Sequence, residues 1–292
     1  MANLKEVRTR IASVSSTQQI TSAMKMVSAA KFRRAQNAII GMRPYAAQLN
    51  EIIAGIDTGD GVQTPYHAVR PIKTVALVVV TSNKGLCGAF NSNVLKLANQ
   101  RVEHWRGEGA ELRLICIGKK ASEQMAKLKG VKPDSKDELL DSPSFDAIAS
   151  LADTLLADFA EKRIDYVEVV YNQFKNSLSQ ILSCEQFLPV TNNTSTSSNT
   201  SSTSKNNDFI YEPSKEEIMR EMIPLTLRST FYRIILDSLA SEHGARMTAM
   251  QKATDNATEL LKDLRLSYNK ARQAAITNEI IEIVSGSEAL KG

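Results

Sequence analysis

Residue types that bind metals or act as nucleophiles are scarce in this sequence. Its 292 residues include three histidines and three cysteines, and Cys87, Cys116 and Cys184 lie far apart without a CxxC pair. Zinc sites and histidine-based catalysis depend on these residue types, so both are poorly supplied. An odd number of widely spaced cysteines also indicates reduced thiols in a cytosolic type of compartment. We therefore expect no metal site.

A membrane-spanning run is lacking as well. No stretch approaches the ~18–20 apolar residues that a helix needs to cross a bilayer. Met1 leads directly into a polar amphipathic pattern, which differs from a signal peptide. The sequence thus predicts a soluble intracellular chain that reaches a membrane only through a partner.

Glycine and proline are absent from residues 1–40 and 245–285. The second segment shows the 3-4-3-4 rhythm of a coiled-coil helix. At ~1.5 Å per residue this helix is about 60 Å long, whereas an ordinary globular helix has ~10–14 residues. Aromatic residues make up only 5% of the chain, which suits helices packed through Ala, Leu and Met. The rhythm comprises Met247, Met250, Thr254, Ala257, Leu261, Leu264, Tyr268, Ala271 and Ala275.

A second long helix is predicted over residues 3–55. We expect a local change of winding or of partner face within it, because its apolar stripe is interrupted. The stripe runs through Leu4, Val7, Ile11 and Val14, breaks at Ser15–Gln19, and resumes at Ile20, Met24 and Val27.

Acidic residues are nearly absent from the first 50 positions. Eight Lys and Arg stand there against the single acid Glu6, and no carboxylate occurs from Val7 to Asn50. A solvated charged face does not explain such a long acid-free stretch. A basic helix of this kind favours an acidic partner, which could be a protein surface, nucleic acid or anionic lipid. The helix lacks the interleaved aromatics of a nucleic-acid site, so an acidic protein fits best.

The middle of the chain alternates between strand and helix patterns. Near-continuous apolar runs are typical of buried parallel strands, and their alternation with helices predicts a small α/β domain over residues 72–190 with a mostly parallel sheet. Strands are predicted at 72–81, 112–117, 166–171 and 179–190, and helices at 92–105, 121–128 and 145–163, the last with Ser144 as its N-cap.

The polar tract at 191–207 contains only Ser, Thr, Asn and one Lys, and we interpret it as a loop or linker. Within the C-terminal region, 208–292, a short helix is predicted at 214–222. Pro224 would then be the first residue of the long helix, where its missing N–H costs nothing. The α/β domain is therefore inserted between two long helices, residues 1–55 and the C-terminal helix, that can pair antiparallel.

The turn from Thr81 to Gly88 lies where an α/β nucleotide-binding fold would place a phosphate loop. It matches neither GxxxxGK[ST] nor GxGxxG, so a tight turn with Lys84 at the surface is the better interpretation. Cys87 could be a nucleophile, but no histidine stands in a recognisable relation to it. Glu279 and Glu282 lie one turn apart and are interpreted as a solvated face. Two alternatives stay open: a nucleotide-binding enzyme with helical dimerisation arms, and a nucleic-acid-binding coiled-coil scaffold.

Six segments spread along the chain resemble the γ subunit of the rotary F-type ATP synthase. The resemblance covers nearly the whole sequence and each match spans several residues. It implies an antiparallel coiled coil of the terminal helices in the bore of a hexamer of α and β subunits, with an inserted Rossmann-like α/β domain at the base. The matching segments are Ile20–Lys31, Lys84–Asn91, Ser241–Met250, Ala253–Ala257, Tyr268–Gln273 and Ile276–Glu279.

The resemblance also implies a function. The chain would be the central rotor shaft of the F1 sector, coupling rotation of a membrane ring, driven by protons, to conformational changes at the catalytic β subunits. Nucleotide chemistry would belong to β, so this chain would hold no catalytic residue and no cofactor. Its partners would be α, β, the ε subunit and the membrane ring, with no nucleic acid. It would be peripheral, at the cytoplasmic face of a bacterial inner membrane.

Particular residues follow from the same resemblance. Met24, Lys84, Arg272 and Gln273 match positions that contact the hexamer. The basic residues that would face an acidic helix-turn-helix of β are Lys31, Arg33 and Arg34, and the foot on the ring is matched by Tyr211 and Glu212.

Two positions depart from the family pattern. Asn83 replaces the usual Asp, so any salt bridge of that Asp is absent, and Ser287 replaces an alanine. The 191–207 tract lies near the place where chloroplast relatives carry a regulatory cysteine pair. It contains no cysteine, so no thiol switch is expected.

Overall fold

The computed structural model describes residues 4–56, 64–128, 130, 132–176, 179–190 and 214–289. The chain divides into two compact units, one formed by Met1–Ala29 with Arg246–Gly292 and the other by Ala30–Ala245. We call them the coiled-coil unit and the α/β unit. The helices are α1 (Leu4–Ile56), α2 (Phe90–Gly107), α3 (Lys119–Met125), α4 (Phe145–Ala160) and α5 (Lys215–Ala289), and the strands are β1 (Thr74–Val80), β2 (Glu111–Ile117), β3 (Asp134–Ser135), β4 (Tyr166–Phe174) and β5 (Gln180–Leu188).

A five-stranded sheet forms the centre of the α/β unit, in the order β3-β2-β1-β4-β5. The first four strands are parallel, and β5 pairs antiparallel with β4 at the edge. The predicted strands and the mostly parallel sheet are thus confirmed, with boundaries shifted by up to three residues. β1 is central because its side chains are apolar on both faces, as a strand covered on both sides by helices requires.

The side chains on the two faces of β1 pack into two separate hydrophobic cores. Ala76, Val78 and Val80 pack on one face with α4, part of α5 and the ends of β4 and β5. Leu77 and Val79 pack on the other face with α2 and α3. This alternation follows from the period of two along a strand. Predicted helix α4 begins as expected after Ser144, whose Oγ accepts a hydrogen bond from the Ala147 N–H at 3.3 Å. It ends at Ala160 rather than at residue 163.

The prediction of a short helix followed by a break at Pro224 is wrong. α5 is one helix of 75 residues with Pro224 inside it. A proline in a helix interior costs ~3 kcal/mol through the missing N–H and the clash with the preceding turn. Its neighbours Met219, Ile223 and Leu227 are buried in the core of the α/β unit, and this packing offsets the cost.

The coiled-coil unit pairs the first part of α1 with the last part of α5. Gln18 donates from Nε2 to Thr258 Oγ1 at 2.7 Å, and Thr254 Oγ1 donates to Thr21 Oγ1 at 2.9 Å. The partner number falls as the residue number rises, so the two segments are antiparallel, as predicted.

The predicted shift of the α1 stripe is matched at one of its three positions, since Met24 is half-buried whereas Ile20 and Val27 are exposed. The positions that face inward keep an unbroken 3-4 rhythm through Gln18 and Thr21, whereas Ile20 and Val27 are 59% and 58% exposed. The two polar residues are accepted in the seam because each finds a hydrogen-bond partner across it. An apolar pattern alone therefore misplaced the helix face. The less exposed positions of this part of α1 follow that rhythm with a few neighbours added; they are Leu4, Val7, Ile11, Val14, Ser15, Gln18, Thr21, Ser22, Met24, Lys25, Ser28 and Ala29.

Candidate partner-contact surfaces

The loop between β1 and α2, residues 81–89 and here called the contact loop, presents Lys84 and Leu86 outward. Lys84 is exposed, as predicted, and the Leu86 side chain is 64% exposed. Leu86 has a φ of 63°, a left-handed conformation that is uncommon for a leucine. Gly88 follows with a φ of 61°. The loop therefore holds an apolar side chain and a cation on the surface by means of an unusual backbone path.

The inside of the contact loop is filled by its own polar side chains. Ser82 is fully buried, donates from Oγ to the Lys84 carbonyl at 2.7 Å and hydrogen-bonds Asn91. Asn91 Nδ2 also donates to the sulfur of buried Cys87 at 3.3 Å. A buried thiol held in this way has a structural role. Hydrogen bonds on its inner side thus hold the path of the contact loop.

Three basic residues of α1 lie on the surface of the α/β unit. Lys31, Arg33 and Arg34 are all exposed, and no ion pair of theirs occurs among the described residues. Close to them, Ile39 of α1 packs on Leu236 and Ala240 of α5, which fixes the face of α1 that turns inward. The cations are therefore left outward, as an acidic partner requires.

Met24 lies in the coiled-coil unit and is half-buried. The next turn of α1 is anchored there by Ser28, whose hydroxyl donates to the Met24 carbonyl at 2.8 Å. Met26 and Val27 are 64% and 58% exposed. The apolar side chains on the open side of α1 are thus Met26, Val27 and Ile20, which sequence reasoning had placed in part on the seam.

The seam of the coiled coil ends at Ala271. The predicted rhythm is confirmed through that residue, with Met250, Ala257 and Leu261 buried, whereas Ala275 is exposed. Arg272 and Gln273 open a stretch, through residue 288, in which every residue is exposed. It includes Glu279, Glu282 and Ser287, and five large apolar side chains between 48% and 67% exposed: Ile276, Ile280, Ile281, Ile283 and Val284.

Two polar clusters of the α/β unit, each including a buried side chain, were missed by sequence reasoning. Glu168 on β4, 5% exposed, accepts from Arg101 Nε at 2.9 Å and from Trp105 Nε1 at 3.1 Å. Burial, followed by a hydrogen bond to Glu168, raises the pKa of the Cys184 thiol. Both clusters join residues far apart in the chain, so no local pattern reports them.

The second cluster connects the sheet to α5. The Tyr171 hydroxyl donates to Glu185 Oε1 at 2.5 Å, and Arg233 of α5 donates to Glu185 Oε2 and Asp237 Oδ2 at 3.3 Å each. Burial raises the pKa of Tyr171, and the hydrogen bond to Glu185 adds to the shift. The cluster clamps α5 to the sheet at its antiparallel edge.

Some predicted positions cannot be placed. Tyr211 and Glu212, and the whole 191–207 tract, lie outside the described residues.

Comparison with known proteins identifies the family of the chain. The profile of a family described as ATP synthase matches residues 3–290. The ATP synthase gamma chain of Flavobacterium johnsoniae is 52% identical over 294 residues and covers 100% of both chains. That of Cytophaga hutchinsonii is 49% identical and covers 99% of each. The chain belongs to the ATP synthase gamma chain family.

Solved structures agree with this membership. A central stalk and c-ring structure of the Tetrahymena thermophila mitochondrial ATP synthase contains a chain that is 25% identical, with a TM-score of 0.61, and the match covers 80% of this chain and 99% of that one. A chain of the Euglena gracilis mitochondrial ATP synthase matches the fold over 98% of this chain and 94% of its own, with a TM-score of 0.69 at 20% identity.

As a gamma chain, the protein is a subunit of a rotary ATP synthase. Among the described residues, no helix is apolar over a length that would cross a membrane. The α/β fold with a long helix at each end, predicted from the sequence, is confirmed. Family membership favours neither the nucleotide-binding enzyme nor the nucleic-acid scaffold.

Proposed function

We propose that this chain is the non-catalytic rotor shaft of the F1 sector and couples ring rotation to binding changes at the catalytic β subunits. The observation that carries this proposal is the exposed end of α5, residues 272–288. Exposed apolar patches of this kind mark surfaces that partners cover. A helix that leaves its own coiled coil and presents isoleucines on several sides suits a bore that surrounds it.

In this proposal the end of the seam, the basic surface of α1 and the contact loop each bind a different part of the hexamer. Arg272 and Gln273, at the point where the seam ends, would hydrogen-bond loops of the hexamer. Lys31, Arg33 and Arg34 would face an acidic element of β, and such opposed charges add to association rate and specificity. The contact loop, with Lys84 and Leu86, would also touch the hexamer, and Met24 would lie within the segment that faces the β lever.

The same proposal places the chain at the membrane through its partners. The ε subunit and the membrane ring would bind the α/β unit, with Tyr211 and Glu212 at the foot. The chain would then be peripheral, at the cytoplasmic face of a bacterial inner membrane. Torque would pass from the ring to α5, and the clamp formed by Arg233, Glu185 and Tyr171 would resist slippage of that helix on the sheet.

The proposal is tested by ATPase assays of the purified chain with and without α and β subunits. The chain alone is expected to show no turnover, and its addition to α and β is expected to produce ATPase activity above that of α and β alone. Turnover by the isolated chain, or no change on mixing, would contradict the proposal.

The surface at the end of the seam is tested by Arg272→Ala with Gln273→Ala. We expect the double variant to fold as the wild type does, because both side chains are exposed, and to lose assembly or coupled turnover, because both would contact the hexamer. Lys127→Ala with Gln124→Ala is the matched control, since it removes an exposed basic and amide pair at the C-terminal end of α3. Equal behaviour of the two double variants would remove the assigned role.

Charge reversal tests the basic surface. Replacing Lys31, Arg33 and Arg34 with Glu is expected to weaken assembly most at low salt, where opposite charges attract over the longest distance. A salt series of assembly affinity measures this. If wild-type assembly showed no salt dependence, an acidic partner would be the wrong assignment for these residues.

A further inference from the structure

Asn83 joins three segments of the α/β unit. Its Nδ2 donates to the Asp137 carbonyl at 3.1 Å and to Asp141 Oδ1 at 3.0 Å. Its Oδ1 accepts from the Lys119 backbone N–H at 3.1 Å. The side chain thus ties the contact loop to the start of α3 and to the 3₁₀ turn Asp137–Leu140 with the residue after it.

Only a carboxamide satisfies all three partners at once. It carries two N–H donors and one carbonyl acceptor. The two oxygen partners at this site each need a donor, and the Lys119 N–H needs an acceptor. An aspartate has no donor when ionised, so it would leave the Asp137 carbonyl unpaired and bring a second carboxylate against Asp141. The sequence suggested that Asn83 only removes a salt bridge, whereas the structure gives it partners that an aspartate lacks.

We propose that Asn83 is the positioning residue of the contact loop and that it acts as a matched pair with Asp141. The proposal rests on the proposed function, in which this loop touches the hexamer. Leu86 needs its left-handed backbone to be held by the surrounding structure, because such conformations persist only where neighbouring contacts fix them. Asn83 fixes one end of that path, and Ser82, through the Lys84 carbonyl, fixes the next residues.

The charges around this pair set its response to pH. The segments that meet at Asn83 carry Lys84 on the loop, Lys119 and Lys120 on α3, and Asp137, Glu138 and Asp141 on the turn. With Asp at position 83, two facing carboxylates cannot both ionise without repulsion, and one of them retains a proton to higher pH. The defect of Asn83→Asp should therefore be larger at pH 8 than at pH 6.

Trypsin cleavage after Lys84, measured by mass spectrometry and normalised to cleavage after Lys127, reports the order of the loop in the full chain. We expect Asn83→Asp to raise the normalised rate about tenfold at pH 8, the factor that corresponds to one pKa unit of repulsion. Asp141→Asn should stay within about twofold of wild type, because its amide oxygen still accepts from Asn83. Adding it to Asn83→Asp should restore most of the protection.

Two further variants separate repulsion from general damage. Asn93→Asp adds the same charge at an exposed position of α2 and should not alter cleavage. Asn83→Ala removes the hydrogen bonds without adding charge, so its smaller increase should be independent of pH and unrescued by Asp141→Asn. The pairing would be overturned if Asn83→Asp were cleaved at the wild-type rate. It would also be overturned if Asp141→Asn failed to restore the protection of Asn83→Asp and Asn83→Ala were cleaved at the wild-type rate.

Reconstitution with α and β tests the functional half. If the wild-type chain failed to raise the ATPase activity of α and β, the proposed function would be contradicted. The protease assay would still test the pairing of Asn83 with Asp141. If the wild type is active, Asn83→Asp should lose about as large a factor in ATPase as it gains in cleavage, with recovery in the double variant. Altered cleavage with unaltered ATPase would overturn the positioning role.

Discussion

In the α/β unit six consecutive residues of β1, Val75–Val80, are fully buried, whereas the described part of the coiled-coil unit contains six buried residues in all. The first unit has apolar side chains on both sides of a sheet. The second has a single seam, in which Ser, Thr, Gln and Ala stand beside Met and Leu. The six are Val7, Ser28, Arg246, Met250, Ala257 and Leu261.

This contrast indicates that folding stability and partner recognition reside mainly in different units of the chain. Buried apolar area is the main source of folding free energy, so the α/β unit carries most of it. The coiled-coil unit keeps most of its surface exposed. In the proposed function that exposed surface is where partners bind, and a thin seam is the natural result of a shaft that a ring must surround.

The largest expected difference between the units is in the cost of a cavity. Phe231 of α5 is fully buried against Phe187, with ring centroids 5.3 Å apart. Phe231→Ala should cost about 3–5 kcal/mol, whereas Leu261→Ala, in the thin seam, should cost about 2 kcal/mol or less, because fewer neighbours surround it. Urea unfolding measures both, with exposed Leu266→Ala as the control. Equal costs for Phe231 and Leu261 would remove the contrast.

A smaller effect should appear at alkaline pH and only in the α/β unit. Burial, with help from Asp137 and Asp134, raises the pKa of the Cys116 thiol to about 12. An unfolded thiol ionises near pH 8.5, so between these values the folded state binds more protons and stability falls as pH rises. Each pH unit should cost about 1.4 kcal/mol. Urea unfolding of Cys116→Ala, at pH 8 and 10 with a reductant, should show a shallower decline than wild type.

The control for that measurement is Val79→Ala. Val79 pairs with Cys116 in the sheet and has no ionisable group, so its cost should be the same at both pH values. A Cys116→Ala slope equal to that of the wild type would show that this thiol does not contribute to the alkaline loss. Tyr171 and Cys184 shift in the same direction, which leaves part of the decline in every variant.

The smallest expected effect is the coupling across the polar seam. Gln18→Ala and Thr258→Ala each remove one side of the same hydrogen bond, so the double-mutant cycle should give about 0.5–1 kcal/mol of coupling. The pair Gln19 and Thr258, which is not hydrogen-bonded among the described residues, should give none. A coupling of zero for Gln18 would mean that the polar residues only occupy the seam.

The sequence predicted the elements well wherever one period dominates. The apolar run of β1 and the rhythm from Met247 to Ala271 could be predicted without tertiary information. A strand buried on both faces shows a continuous run of apolar residues, and a helix buried along one stripe shows apolar residues at regular intervals. The Pro224 prediction failed because packing of Met219, Ile223 and Leu227 overrode a local signal. The stripe of α1 was misread at Ile20 and Val27 because the half-buried Gln18 and Thr21 take seam positions through hydrogen bonds to residues more than 230 positions away.

The candidate surfaces were predicted unevenly. Lys84, Arg272 and Gln273 came from the resemblance, and the structure places all three in exposed positions. The positions held by Asn83 with Asp141, or by Tyr171 with Glu185 and Arg233, could not be predicted, since each set joins segments distant in sequence. Hydrogen bonds between such segments depend on the fold and leave no local pattern.

The central claim is that this chain turns within a ring of catalytic subunits. A bead attached through Lys127→Cys on the α/β unit, with α and β fixed to a surface, reports this directly. We expect ATP to drive rotation of the bead in one direction and rotation to stop when ATP is removed. ATP hydrolysis at the full rate with only Brownian motion of the bead would contradict it.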